Sequence, residues 1–139
     1  MPYQISAVAF QTFEDDFQNL AVGLVDGAII IIDLILGIEK HFLEKHPAQI
    51  TTMAFWEDKC LISGSVDGRV NLNDIENLDK KKGAKVRFQK QQNTMDRKIP
   101  VACIRTSPEF GIGMAVDIEG NCRFYDLSRY RKFSKISSV

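Results

Sequence analysis

The chain has 139 residues, 45% of them hydrophobic and 26% charged, with a formal charge of zero. That composition excludes a disordered chain and supplies enough apolar side chain for one core. The longest apolar stretch, Ala28 to Ile32 and then Leu34 to Ile38, is cut by Asp33 and Gly37, so no run approaches the roughly 20 residues of a membrane-spanning helix.

Along the chain, one pattern is written three times. It begins with a strand that is apolar at its first and fourth positions and carries a strand-forming residue at its sixth. The copies are Ile5, Val8 and Phe10; Ile50, Met53 and Phe55; and Val101, Ile104 and Thr106, each of which reads as a half-buried strand. Two further apolar runs follow in each copy, joined by an acidic-glycine turn and closed by an aspartate. These are LAVGLVDGAIIIID (Leu20 to Asp33), LISGSVDGRVNLND (Leu61 to Asp74) and GMAVDIEGNCRFYD (Gly113 to Asp126). The turn acids are Asp26, Asp67 and Glu119, followed by Gly27, Gly68 and Gly120. Glycine takes the positive φ that such turns need, and the acid can bond the local backbone. A fourth strand per unit is expected in Lys40 to Glu44, Ala84 to Lys90 and Lys132 to Ser138.

Repeats of this size set the architecture before any single residue does. The expectation is an all-β fold of three four-stranded antiparallel meanders, at about residues 1–46, 47–99 and 100–139. Loops carry the length variation: an acidic one from Gln11 to Asn19, and a long one from Asn77 to Ile99 holding Lys80-Lys81-Lys82-Gly83 and the polar Gln91 to Thr94. Residues 75–82 can form one helical turn at most.

The arrangement resembles the WD40 repeat over nearly the whole chain. The middle copy carries it best, with Leu43-Glu44-Lys45-His46 ahead of ITTMAF and CLISGSVDGRVNLND; in the third, Arg105 to Gly111 is similar to that family's turn between its first two strands. The resemblance implies three propeller blades, each held by a buried network of histidine, serine or threonine, aspartate and tryptophan. His46, Ser63 or Ser65, and Asp67 take the first three places in the middle unit, and Asp26 is the turn acid of the first. The tryptophan is missing: Ile32, Asn73 and Tyr125 precede the closing aspartates, and the single tryptophan, Trp56, lies elsewhere. Three blades leave apolar faces and strand edges at both ends, so the resemblance implies completion by further blades of a longer chain, another chain or a second copy, and poor solubility for an isolated monomer.

No enzyme signature stands out, and no cofactor or metal is expected. Gly111-Ile112-Gly113 lacks the third glycine of a dinucleotide site, and no P-loop lysine motif occurs. His41 and His46 stand apart from any nucleophile-like serine or cysteine. Cys60, Cys103 and Cys122 are too few and too scattered for a zinc site, and suit reduced, buried thiols.

The charge is unevenly divided: residues 1–79 hold 13 acids against 4 bases, and residues 80–139 hold 14 bases against 5 acids. The expected function is a non-catalytic protein-interaction scaffold, with Arg69, Arg97 and Lys98 as candidate contacts on the loop rim and Lys80, Lys81 and Lys82 beside them. The alternative is binding of anionic lipid or nucleic acid through the basic segment 80–98, with a steep salt dependence. No secretory signal is visible in Met1 to Gln4, and the expected location is intracellular, in the cytoplasm ahead of the nucleus.

Overall fold

A computed structural model describes residues 4–11, 18–43, 45–57, 60–75, 88–93, 99–127 and 134–138, with the backbone alone at 40, 41, 88–93 and 134–138. Those residues form twelve strands, and no helix occurs among them. The first sheet contains β1 (Ile5–Phe10), β2 (Asn19–Leu24), β3 (Ile29–Asp33) and β4 (Ile38–Leu43). The second contains β5 (Ile50–Trp56), β6 (Cys60–Ser65), β7 (Arg69–Asp74) and β8 (Phe88–Asn93). The third contains β9 (Val101–Ser107), β10 (Ile112–Asp117), β11 (Cys122–Asp126) and β12 (Ser134–Ser138). Each sheet is an antiparallel meander in sequence order, the arrangement expected when every connection is a hairpin.

The fourth strands differ from the sequence reading in their bounds. Strand β8 runs through Gln91 to Asn93, which read as a polar segment beyond the strand, and pairs Asn93 with Arg69 and Gln92 with Val70. An edge strand needs its backbone for the ladder and not an apolar face, so polar side chains are tolerated there. Residues 76–82 lie outside the described residues, as do most of the acidic loop and the three lysines Lys80 to Lys82.

The sheets stack in a row, with the second between the other two. The closest approaches are β1 to β5 and β5 to β9, supported by β2 on β5 and β6 on β9. Between the first and second sheets lies a core of Ala21, Ile29, Ile31, Ile50, Met53 and Leu61. Between the second and third lies another, containing Trp56, Ile62, Leu72, Ile104, Tyr125 and Leu127. The two joints use equivalent positions. Gly23 and Gly64 match in the repeat, and a Cβ on Gly23 would stand 2.6 Å from Ile50, one on Gly64 2.7 Å from Val101. The absent side chains let the first residue of the next sheet's opening strand pack against the backbone.

Hydrogen bonds stitch the opening strands together across the joints. Thr51 Oγ1 donates to the Val101 carbonyl at 2.5 Å, the Ile104 N–H to Thr52 Oγ1 at 3.1 Å, and Thr106 Oγ1 to the Phe55 carbonyl at 2.8 Å. Gln11 Nε2 reaches the Glu57 carbonyl at 3.1 Å from the first sheet to the second. Among the described residues no further sheet packs on the outer face of the first or of the third sheet. On the outer face of the first sheet, Val8, Val22, Ile30 and Phe42 stand opposite one another across the four strands. Val8 is 53% exposed and Phe42 61%, while Val22 and Ile30 between them are buried in a cluster with Leu24.

Candidate functional site

The turn acids show how each hairpin is built. Asp26 Oδ1 accepts the Ala28 N–H at 3.0 Å and Oδ2 takes the Lys45 ammonium at 3.2 Å. The backbone bond from Ala28, then Lys45, holds its carboxyl below the usual range. In the third unit the acid doing this work is Asp117 and not Glu119, which is exposed. Asp117 accepts from the backbone N–H groups of Glu119 and Asn121 at 2.9 and 3.0 Å. Burial pushes the Asp117 carboxyl up, but the bonds from Asn121, Glu119 and Gly120 outweigh it and the net direction is down.

His46 lies at the joint between the first two sheets, fully buried. Its backbone N–H donates to the Gly27 carbonyl at 2.9 Å, which ties the segment entering the second sheet to the turn of the first. Gly27 must be glycine for two reasons: its φ is 96°, and a Cβ there would lie 2.1 Å from the His46 carbonyl oxygen. Gly68 meets the Ile99 carbonyl in the same way, while around Gly120 nothing lies within 4 Å.

The imidazole Nε2 is 2.7 Å from Ser63 Oγ, and Asn73 Nδ2 donates to the same oxygen at 3.4 Å and to the Leu61 carbonyl at 3.1 Å. The Ser63 hydroxyl has one proton and two lone pairs, so it can take the Asn73 bond and still either donate to Nε2 or accept from it, as the ring tautomer dictates. Burial, with Arg69 adding to it and Asp67 opposing, lowers the His46 pKa to about 4, so the ring is neutral at physiological pH.

Within the set of His46, Ser63, Ser65 and Asp67 that the resemblance implies, the imidazole and the carboxylate do not bond to each other. Asp67 Oδ1 accepts the Ser65 hydroxyl and the Arg69 backbone N–H, and Oδ2 pairs with Arg69 Nε at 3.3 Å. His46 Nδ1 has no partner among the described residues. The physical reason is competition: a serine two residues before the acid and an arginine two after it satisfy the carboxylate locally.

The sequence reading missed Asn71 and Asn73. Both are buried on the face that carries Ser63, and neither amide atom of Asn71 has a partner among the described residues. The available signal was position: Asn73 stands where the family has its tryptophan, and Asn71 two residues earlier shares its face. In the first unit the same places hold Ile30 and Ile32, so this polar cluster belongs to the middle sheet alone.

Of the candidate contact residues, Arg69 is part-exposed, with its guanidinium on Asp67. Arg97 and Lys98 lie outside the described residues with Lys80, Lys81 and Lys82. All three cysteines are free; Cys60 is buried and Cys103 and Cys122 half-buried. Cys103 and Cys122 flank Val116 on neighbouring strands, two strand spacings or about 10 Å apart. Among the described residues no group of three or more His, Cys, Asp or Glu side chains could hold a metal ion, and no helix is long and apolar enough to cross a membrane.

No family model matches the sequence, and no curated protein matches it. Solved structures do. The crystal structure of the computationally designed Ika4 protein superposes on all of this chain and 74% of its own, with a TM-score of 0.75 and 17% identity. The computationally designed Ika8 protein matches over 97% of this chain, with a TM-score of 0.73 and 18% identity, but this chain spans only 36% of it. At such identities the likeness shows the fold alone.

Proposed function

We propose that the chain is a non-catalytic scaffold that binds other proteins, built from three WD40-type propeller blades. The observation that carries this reading is the repeated joint. Successive four-stranded meanders pack through equivalent faces, and each joint is locked by a turn glycine lying under the following unit's entering segment. A stack of this kind commits its chemistry-bearing side chains to structure. His46, the best candidate for a catalytic base, is fully buried and held by Ser63, where no substrate reaches it. The rim of turns and connecting segments is left to make contacts, in an intracellular and chiefly cytoplasmic setting.

The test is capture of interacting proteins from cytosolic extract by the chain and by its Arg97→Glu, Lys98→Glu double variant, with identification by mass spectrometry. The expected result is a reproducible set of partners that the variant loses while its melting temperature stays put. An unchanged set removes these two residues from the contact surface. Binding to vesicles containing anionic lipid, lost on raising salt from 50 to about 200 mM as counterion release requires, would instead favour the phosphate-surface reading of segment 80–98.

A further inference from the structure

We infer that the joint between the first and second sheets encloses a water molecule, held by Asn71, Asn73 and the His46 imidazole. The site is independent of whether the chain gathers other proteins.

Four polar atoms of the middle unit are buried without a partner among the described residues: His46 Nδ1, both amide atoms of Asn71, and Asn73 Oδ1. The side chains that carry them are 0%, 0% and 1% exposed. They belong to one group. Ser63 Oγ lies 2.7 Å from His46 Nε2 and accepts from Asn73 Nδ2 at 3.4 Å, and Asn71 stands directly across from Ser63 on the neighbouring strand. Leu61, paired with Asn73, is part of the core shared with the first sheet. Residues two apart in a strand share a face, so the group looks into that joint. Leaving buried polar atoms unpaired is costly, and folded chains pair nearly all of them with protein or with ordered water.

The chemistry of the four atoms selects the occupant. Asn71 offers one donor and one acceptor whichever way its amide is turned. Asn73 offers an acceptor, because its Nδ2 is already committed to the Leu61 carbonyl at 3.1 Å. The His46 ring is neutral at physiological pH, its pKa lowered by burial to about 4, and Nδ1 donates or accepts as the tautomer dictates. An anion asks for donors alone and a metal cation for acceptors alone. A mixed set beside a neutral ring suits water, which can do both and makes about three bonds when buried in a protein.

The repeat shows where the room comes from. At the joint between the second and third sheets, the positions of Ala21, Asn71 and Asn73 are held by Ile62, Arg123 and Tyr125. Every one of those side chains is larger. Ile62 and Tyr125 are each 1% exposed and fill the core of that second joint. At the first joint the His46 ring takes up part of the difference, and the water takes up the rest.

Nuclear magnetic resonance of the isotope-labelled chain reads the water directly. A held water gives NOE and ROE cross-peaks of opposite sign at the water frequency, and these are expected at the β-protons of Asn71 and Asn73 in the wild-type chain. Asn71→Ile places there the residue type that the first unit has at Ile30, and should abolish the cross-peaks at Asn73 while the amide shifts of the third sheet stay put. Ser63 keeps its hydroxyl in that variant, so a signal relayed through exchange of that proton would persist. The wild-type spectrum decides the matter even if the variant fails to fold. A wild-type chain without these cross-peaks, or cross-peaks at Asn73 that survive Asn71→Ile, would overturn the proposal. So would an Asn71 amide whose contacts lead to the side chain of Gln91, which pairs with it on β8, and not to water.

Discussion

In the second sheet Ile50 is completely buried; in the first its counterpart Ile5 is 61% exposed. The two side chains are the same residue at the same point of the same strand pattern, and only the neighbour differs. Among the described residues the middle sheet packs against another sheet on both faces and the first on one, although Val22, Leu24 and Ile30 on the first sheet's other face are themselves only 6%, 3% and 4% exposed. Exposure along the opening strands thus follows the neighbouring sheet and not the residue type, which is the behaviour of a stacked repeat.

The contrast can be broken most forcefully at those two isoleucines. Ile50→Ala should cost about 2–5 kcal/mol, because it empties a packed joint, while Ile5→Ala should stay within about 0.5 kcal/mol at concentrations where the chain is monomeric. Urea denaturation of the two variants measures both; equal losses would mean that the first sheet's outer face is covered.

The turn glycines sharpen the same comparison. Gly27→Ala drives a Cβ onto the His46 carbonyl and should destabilise by about 3 kcal/mol or more, combining overpacking with the strained φ. Gly120→Ala, at a φ of 87° but with open space around it, should cost only the backbone strain, about 1–2 kcal/mol. A cost at Gly120 as large as that at Gly27 would contradict the open end.

These glycines were legible from the start, since an acidic-glycine turn between two apolar runs names its own geometry. The opening strands and the hairpins behind them followed from the spacing of Ile5, Val8 and Phe10 and their repeats. The fourth strands were not legible to the residue, because an edge strand such as β8 places few demands on side chains. The polar cluster was half legible. The family resemblance named His46 with Ser63 or Ser65 and Asp67 and left the serine open; Ser63 lies against His46 and Ser65 against Asp67. Whether a carboxylate bonds an imidazole or a nearer serine depends on distances of an ångström, which spacing does not encode. Asn71 was hidden because a buried asparagine in a strand has no periodic signature.

The joint between the first and second sheets is set apart from the hairpin turns by pH. His46 has a folded pKa of about 4 against an ordinary 6.5, so the unfolded chain binds the extra proton between those values. Stability is full above pH 6.5, falls as pH drops toward 4 and then levels, by about 3 kcal/mol at most. The lowered carboxyls of Asp26 and Asp117 act in the acid range below 3.8, where their contribution is lost, so the two windows are distinct. His46→Gln should flatten the upper window in a pH series of urea midpoints and leave the lower one. A slope between pH 6.5 and 4 that persists in the variant would assign it to another group.

The central claim, that the sheets bury each other's faces, is tested most directly by the single tryptophan. Trp56 is 5% exposed and belongs to the core between the second and third sheets. Acrylamide quenching of its fluorescence in the native chain should be weak, with a blue-shifted emission that moves to the red only on unfolding. Efficient quenching and a water-like emission maximum in the folded chain would mean that the second and third sheets do not pack as described.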